Sequence, residues 1–518
     1  ADGTFTLPLS VGGPVRVAAS LAYDPDAATN YHTNVLDTTD PSAGVVIQLI
    51  RVPTVDDPNY MPPSASQGCQ FCHSEIFDEW STSVHSTATL DFWVRDLFSG
   101  DGSPGGSNGF VYINTHDPTD TGTCATCHAP MADVFNPGQT FLNQVVADGI
   151  PGQIDGVNCV TCHQIERVDG DVNAIHTLGQ TSYRFPDGDL PTSRHAFGPL
   201  DDVDTNFMRA IYAPFFTESR ICASCHQYQA PFGQTTFEEW LDSPFAVAGP
   251  DFRSCQDCHM PQRAEEGRIC DVGPTVIRPP EQRHSHQFIG STPETLSDNI
   301  DLTAEVVSQL GGLVTVRASV TNRGAGHSFP TGVSIRNALL VLTADVAGQP
   351  LEQASGPTVP EWANDDVPGQ QDGDYGGFPG TGFAKILEGR INGQGEPVSP
   401  VLFIDAETVL ESSNIPSGET SVTEVAFALP ADAQLGEPIE IQARLLYRRA
   451  FRALAVTKGW TETPQGGPIE IEVASINLDA TVMSQVDPLE IPTLSEVALA
   501  LLAGLLILSG FWSLKRTR

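Results

Sequence analysis

Apolar and polar positions alternate most clearly in the second half of the chain. Leu313-Val314-Thr315-Val316-Arg317-Ala318-Ser319-Val320 has the two-residue period of a strand with one buried face, and Ala338 to Val346, Ser421 to Leu429, Ile439 to Tyr447 and Ile469 to Val473 are further apolar runs bounded by Gly, Pro and Asn. Several strands at such spacing predict an antiparallel β-sandwich of immunoglobulin-like class over residues 296–485. Between about 355 and 400 the chain is rich in Gly, Pro and Asp, which predicts a long surface excursion; its Asp372-Gly373-Asp374 reads as a solvated acidic loop before it reads as a calcium site. Near the N-terminus Phe5-Thr6-Leu7-Pro8-Leu9 and Val15-Arg16-Val17 alternate, so residues 1–60 are expected to form a short β-hairpin and a loop.

Residues 61–295 behave differently. Short helical stretches are expected at Glu75 to Thr89 and Thr236 to Ala246, but apolar periodicity is too sparse for a conventional core. Something other than side chains has to fill this domain. At the other extreme, Val497 to Leu514 is an uncharged apolar run followed by Lys515, Arg516 and Arg518, the length of a short transmembrane helix with a cytoplasmic basic end. Residues 486–518 are therefore expected to anchor the body outside the cytoplasmic membrane unless the tail is cleaved. The first residues, Ala-Asp-Gly without an apolar leader, suggest numbering from a processed end.

Charge narrows the function. Lys and Arg total 26 against 64 Asp and Glu, a formal net charge of −38. Nucleic-acid binding, which needs cations to displace phosphate counterions, is excluded as a general role. The acidic surface suits solubility, or the attraction of basic redox partners such as a basic cytochrome, or of a membrane complex.

Ten of the eleven cysteines fall in five CxxCH motifs, Cys69/Cys72/His73, Cys124/Cys127/His128, Cys159/Cys162/His163, Cys222/Cys225/His226 and Cys255/Cys258/His259; composition alone would give roughly 0.006 such motifs by chance. Two thiols three residues apart form thioethers to the two haem vinyl groups, and the adjacent imidazole then falls on the iron. Five covalent haems are the cofactors this pattern calls for, and their macrocycles would supply the missing core. Haem attachment to CxxCH takes place outside the cytoplasm, which puts the protein on the periplasmic or extracellular side. Zinc does not require a histidine after every second cysteine. Cys270 stands apart and reads as a small buried residue or an unpaired thiol.

A second axial ligand on each iron favours electron transfer, whereas an open position can bind a substrate. The distal candidates are His85, His116, His176, His286 and His327, with His284, His195 and Met208 behind them and His32 last. His85 lies on a helix that can fold back over a neighbouring macrocycle, and His327 sits between glycines that allow a loop to approach a haem face closely. Met260 directly follows a proximal histidine and cannot reach the opposite face of the same haem.

Several of these segments, Glu79-Trp80…His85, Gly156-Val157-Asn158 before the third motif, Ser219-Arg220-Ile221 before the fourth, Glu239-Trp240-Leu241-Asp242-Ser243-Pro244, and Met260-Pro261 after the fifth, together resemble the multihaem cytochrome superfamily over residues 65–345. That superfamily includes the tetrahaem cytochromes of ammonia oxidisers and the octahaem hydroxylamine oxidoreductases. Gly326-His327-Ser328-Phe329-Pro330-Thr331-Gly332 resembles the distal-histidine loop of members that carry a β-sandwich. The resemblance implies closely packed haem pairs with mostly bis-histidine iron. This chain departs at Phe245, which stands where the parallel Trp80 segment has His85. One ligand must then come from elsewhere, or one iron is five-coordinate or methionine-ligated. Likewise, Ile491-Pro492-Thr493-Leu494-Ser495-Glu496 and the run after it resemble C-terminal sorting signals of the Ile-Pro-Thr-Leu class. An electron relay leads these readings; a multihaem oxidoreductase acting on a small nitrogen or sulfur compound, and a subunit of a cytochrome filament, stand as alternatives.

Overall fold

The alternation at Leu313 becomes the strand Leu313–Asn322, in which Val314, Val316, Ala318 and Val320 are buried and the residues between them half-buried. The computed structural model describes residues 14–40, 44–169, 181–185, 194–203, 208–228, 230–273 and 276–483. One antiparallel sheet runs in the order Gln353–Ser355, Thr420–Ala428, Leu313–Asn322, Ile300–Leu310. The other runs Ala406–Ser412, Gly380–Gly389, Asn337–Val346, Pro438–Arg448, Glu470–Thr481, with Gln349–Pro350 added beside Asn337–Val346. Their facing aliphatic rows, Leu340, Leu342, Ile439, Ile441 and Leu445 against Val314, Val316, Val320 and Val425, form one continuous core.

Two features differ from the sequence reading of this half. The stretch from about 355 to 400 is no mere surface excursion: Gly380–Gly389 is an interior strand, and Val359 and Ala363 pack on Leu339, Val341 and Leu446, covering the outer face of the sheet. Hence Asn337–Val346 is apolar on both faces rather than alternating. The Asp372-Gly373-Asp374 turn is solvated only in part: Asp372 is exposed and Gly373 half-buried. Asp374 is buried and accepts from Arg452 Nε at 2.8 Å, while Arg448 Nη2 donates to the Gly373 carbonyl at 2.6 Å, so guanidinium groups neutralise the loop.

Short helices make up the first half. Ser74–Ser81 and Thr236–Leu241 are shorter than expected, each closing in turns where Ser and Thr hydroxyls bond back to carbonyls. Apolar side chains gather only in small separate clusters around Phe98, Phe197, Met131 and Phe237. At the N-terminal end Val15–Ala19 pairs with Asn34–Thr38; Phe5 to Leu9 lies outside the described residues. This segment is bonded to the parallel pair His195–Gly198 and Arg209–Tyr212, through Tyr23 N to Tyr212 O and Thr33 N to Ala210 O.

The two halves are locked together. Lys458, fully buried, donates to the carbonyls of Asp96, Gly106 and Phe110 at 2.9, 2.6 and 2.6 Å. Trp93 and Trp460 stack with centroids 4.5 Å apart, and Trp460 Nε1 donates to Asp96. Among the described residues no helix is long and apolar enough to cross a membrane; Val497 to Leu514, with the sorting segment before it, lies outside them.

Candidate haem sites

Each motif uses the helical turn to aim its chemistry. Cys124–His128, Cys159–His163 and Cys255–His259 are single helical turns, so the two thiols three residues apart and the imidazole after them share one face. Asn158 and Ser254 start two of these turns with reciprocal caps, accepting from the backbone N–H of Thr161 and Asp257 respectively. All five motifs open on one cavity of about 2340 Å3, well beyond the roughly 300–1,000 Å3 of an ordinary ligand pocket.

Ten of the thirteen histidines line that cavity, and most are prepared in the same way. Nδ1 of His73, His128, His163 and His259 faces the carbonyl of Ile269 (2.5 Å), Ala88 (3.2 Å), Phe197 (2.7 Å) and Ile289 (2.5 Å). His284, His286 and His327 do the same toward Met260 (2.8 Å), His284 (3.1 Å) and Ser328 (3.1 Å). A carbonyl can only accept, so the proton sits on Nδ1 and the Nε2 lone pair is left for a metal. Burial drives His85 down to about 3 and His226 and His286 to about 4, which keeps these rings neutral, as ligation requires.

Pairing follows from distance. Two metal–nitrogen bonds of about 2.0 Å place facing imidazole centroids about 6.3 Å apart. His259 and His327 stand 6.3 Å apart with planes at 10°, and His226 and His85 stand 6.4 Å apart at 52°. His286 is an electrostatic neighbour of His163. The chain folds like a penta-heme cytochrome. The solved penta-heme cytochrome c552 from Thermochromatium tepidum matches with a TM-score of 0.53 and 20% identity, over 80% of this chain and 98% of that one. No protein-family model matches the chain, and no curated protein matches it.

In this cytochrome-like fold the thiols also reveal which motifs are neighbours. Cys69 and Cys159 lie within hydrogen-bonding reach, as do Cys222 and Cys255, and Cys127 and Cys225, while Cys162 is an electrostatic neighbour of Cys222 and Cys225. The first motif therefore adjoins the third, the third the fourth, the fourth the fifth, and the second branches from the fourth. Groups this crowded, with free Nε2 atoms facing shared space, fit five covalently held macrocycles.

Other expected ligands sit elsewhere. His116 is not brought to the cavity: its Nε2 meets buried Asp405 at 3.0 Å and its Nδ1 bonds locally, the reverse of the ligand arrangement. His195 lines the cavity; both its nitrogens are buried without a hydrogen-bond partner, and its ring lies 6.0 Å from that of fully buried His32. Met208 lines the cavity and is 37% exposed. His176 lies outside the described residues. No second imidazole of the described residues stands at pairing distance from His73, His128 or His163.

What the sequence reading missed is the grip on the distal loops. Glu79 accepts from His286 N–H at 2.9 Å and Glu239 from Ser328 N–H at 3.1 Å, beside His327. Arg263 holds the first carboxylate at 2.8 Å, and Thr331 donates to the second at 2.6 Å. The repeated Glu-Trp dipeptide was the available signal. Phe245 lines the cavity and packs beside Gly326, where a Cβ would meet Trp240 at 3.3 Å. Cys270 lies against Cys72, and its neighbour Ile269 supplies the carbonyl for His73.

Proposed function

We propose that the protein binds five c-type haems and passes electrons along them outside the cytoplasm. Thioethers form at Cys69/Cys72, Cys124/Cys127, Cys159/Cys162, Cys222/Cys225 and Cys255/Cys258, with His73, His128, His163, His226 and His259 as proximal ligands. His85 serves the fourth iron, His327 the fifth and His286 the third. The observation that carries this reading is the pair of imidazole separations, 6.3 and 6.4 Å between ring centroids, the spacing that two imidazoles sharing one iron would have. Each haem would supply a one-electron iron couple; the chain fixes the ligands, their protonation and the order of contact. Basic redox proteins or a membrane complex are the partners, and the tail beyond residue 485 holds the body at the membrane. Mass spectrometry and a pyridine haemochrome assay test the reading, with five haems per chain as the expected count and fewer as the failure.

A second reading attaches to the second motif. Asp91, beside His128, and Tyr112, beside Cys124, line the cavity, and no described imidazole stands at pairing distance from His128. If that iron is open, the branch it occupies would make it a side station fed by the relay, where a small nitrogen or sulfur compound could react. A high-spin signal lost on adding such a compound would favour this reading.

A further inference from the structure

We propose that the edge of the fifth motif is the relay's external port, and that the segment from Leu241 to His259 docks a basic redox protein. The inference rests on the electron-transfer reading above. Along the sequence of thiol contacts, the fifth motif is a terminus, touched by the fourth alone among the described neighbours. Just before the fifth motif the chain carries two outward apolar side chains: Leu241 is 43% and Val247 65% exposed, and neither lines the cavity, so their exposure does not depend on what fills it. An exposed apolar patch rimmed by charge is the usual mark of an interaction site.

Charge selects the partner. Residues 241–259 contain Asp242, Asp251 and Asp257 against a single cation, Arg253, which donates to the carbonyls of Pro250 and Phe252 and keeps its charge, so the segment carries a formal −2. The field at this edge is therefore negative, superimposed on a chain of net charge −38. A redox protein with lysines around its own haem edge would be steered to this patch, and Val247 and Leu241 would exclude water once it arrived. In the exchange, one electron leaves the partner's ferrous iron, which becomes ferric, and is taken up at the iron held by His259 and His327, which becomes ferrous. The balance needs no proton and no further reactant.

The test mixes the oxidised holoprotein with a ferrous, basic single-haem cytochrome c in a stopped-flow instrument at several ionic strengths. Asp242→Lys/Asp251→Lys should lower the second-order rate about tenfold at low salt and flatten its salt dependence. Glu352→Lys/Asp432→Lys, on exposed sites of the sandwich, makes the same change in net charge and should alter the rate less than about twofold. Carbodiimide cross-links mapped by mass spectrometry should join Asp242 or Asp251 to partner lysines. Equal slowing by both double variants, cross-links confined to other regions, or a rate independent of salt in the unmodified protein would each overturn the proposal. Failure of the relay itself would look different, with one haem reduced and the other four remaining oxidised.

Discussion

The sandwich and the haem region solve the same problem with opposite materials. In the sandwich, Leu340, Leu342, Ile441 and Leu445 are each at most 2% exposed and touch one another directly. In residues 61–295 the apolar side chains bury one another only in small separate clusters, and many of the rest line a cavity of about 2340 Å3 together with ten imidazoles and the ten motif thiols. The first interior needs nothing beyond its own side chains; the second is a mould. Folding of the haem region should therefore be conditional on cofactor attachment, and folding of the sandwich should not.

Blocking attachment gives the largest expected effect. With the motif cysteines changed to Ala, hydrogen exchange should be fast throughout residues 61–295, while Leu313–Asn322 and Asn337–Val346 keep their protection. Leu340→Ala comes next, costing about 2–5 kcal/mol by cavity formation in a denaturant titration of the sandwich. Lys458→Met removes the ammonium that joins the two regions and leaves three buried carbonyls unpaired, a loss of about 2–4 kcal/mol. Calorimetry should then resolve two transitions where the unmodified holoprotein shows one.

Acid provides a smaller and more local effect. His32 and His195 are lowered from 6.5 to about 4 and about 3, first by burial and then by Arg209 and by His32 respectively. Their folded values lie below the unfolded one, so their contribution is complete above about pH 6.5 and is lost as pH falls through 4 and 3. Urea midpoints should decline between pH 7 and pH 4, and His32→Leu should shallow that decline.

The contrast between the regions also explains what could be read from residues alone. Strands such as Leu313–Asn322 are legible because one buried face imposes a period of two on neighbouring positions. Gly380–Gly389 escaped because its small residues and the glycine-rich approach to it mimic a loop. The five motifs are legible because attachment chemistry fixes spacing within five residues. The pairing of imidazoles is not, because the ring nearest His226 is that of His85 and the ring nearest His259 is that of His327, contacts made only by the folded chain. His116 illustrates the ambiguity: equally plausible on the page, it is claimed by Asp405, a residue of the other half.

The central claim is that the paired imidazoles are axial ligands of the fourth and fifth irons. Electron paramagnetic resonance of the oxidised holoprotein, compared with His85→Ala and His327→Ala, tests it directly. The account predicts that each variant converts one low-spin haem to high-spin and leaves the others unchanged. Spectra identical to those of the unmodified protein in both variants would contradict it.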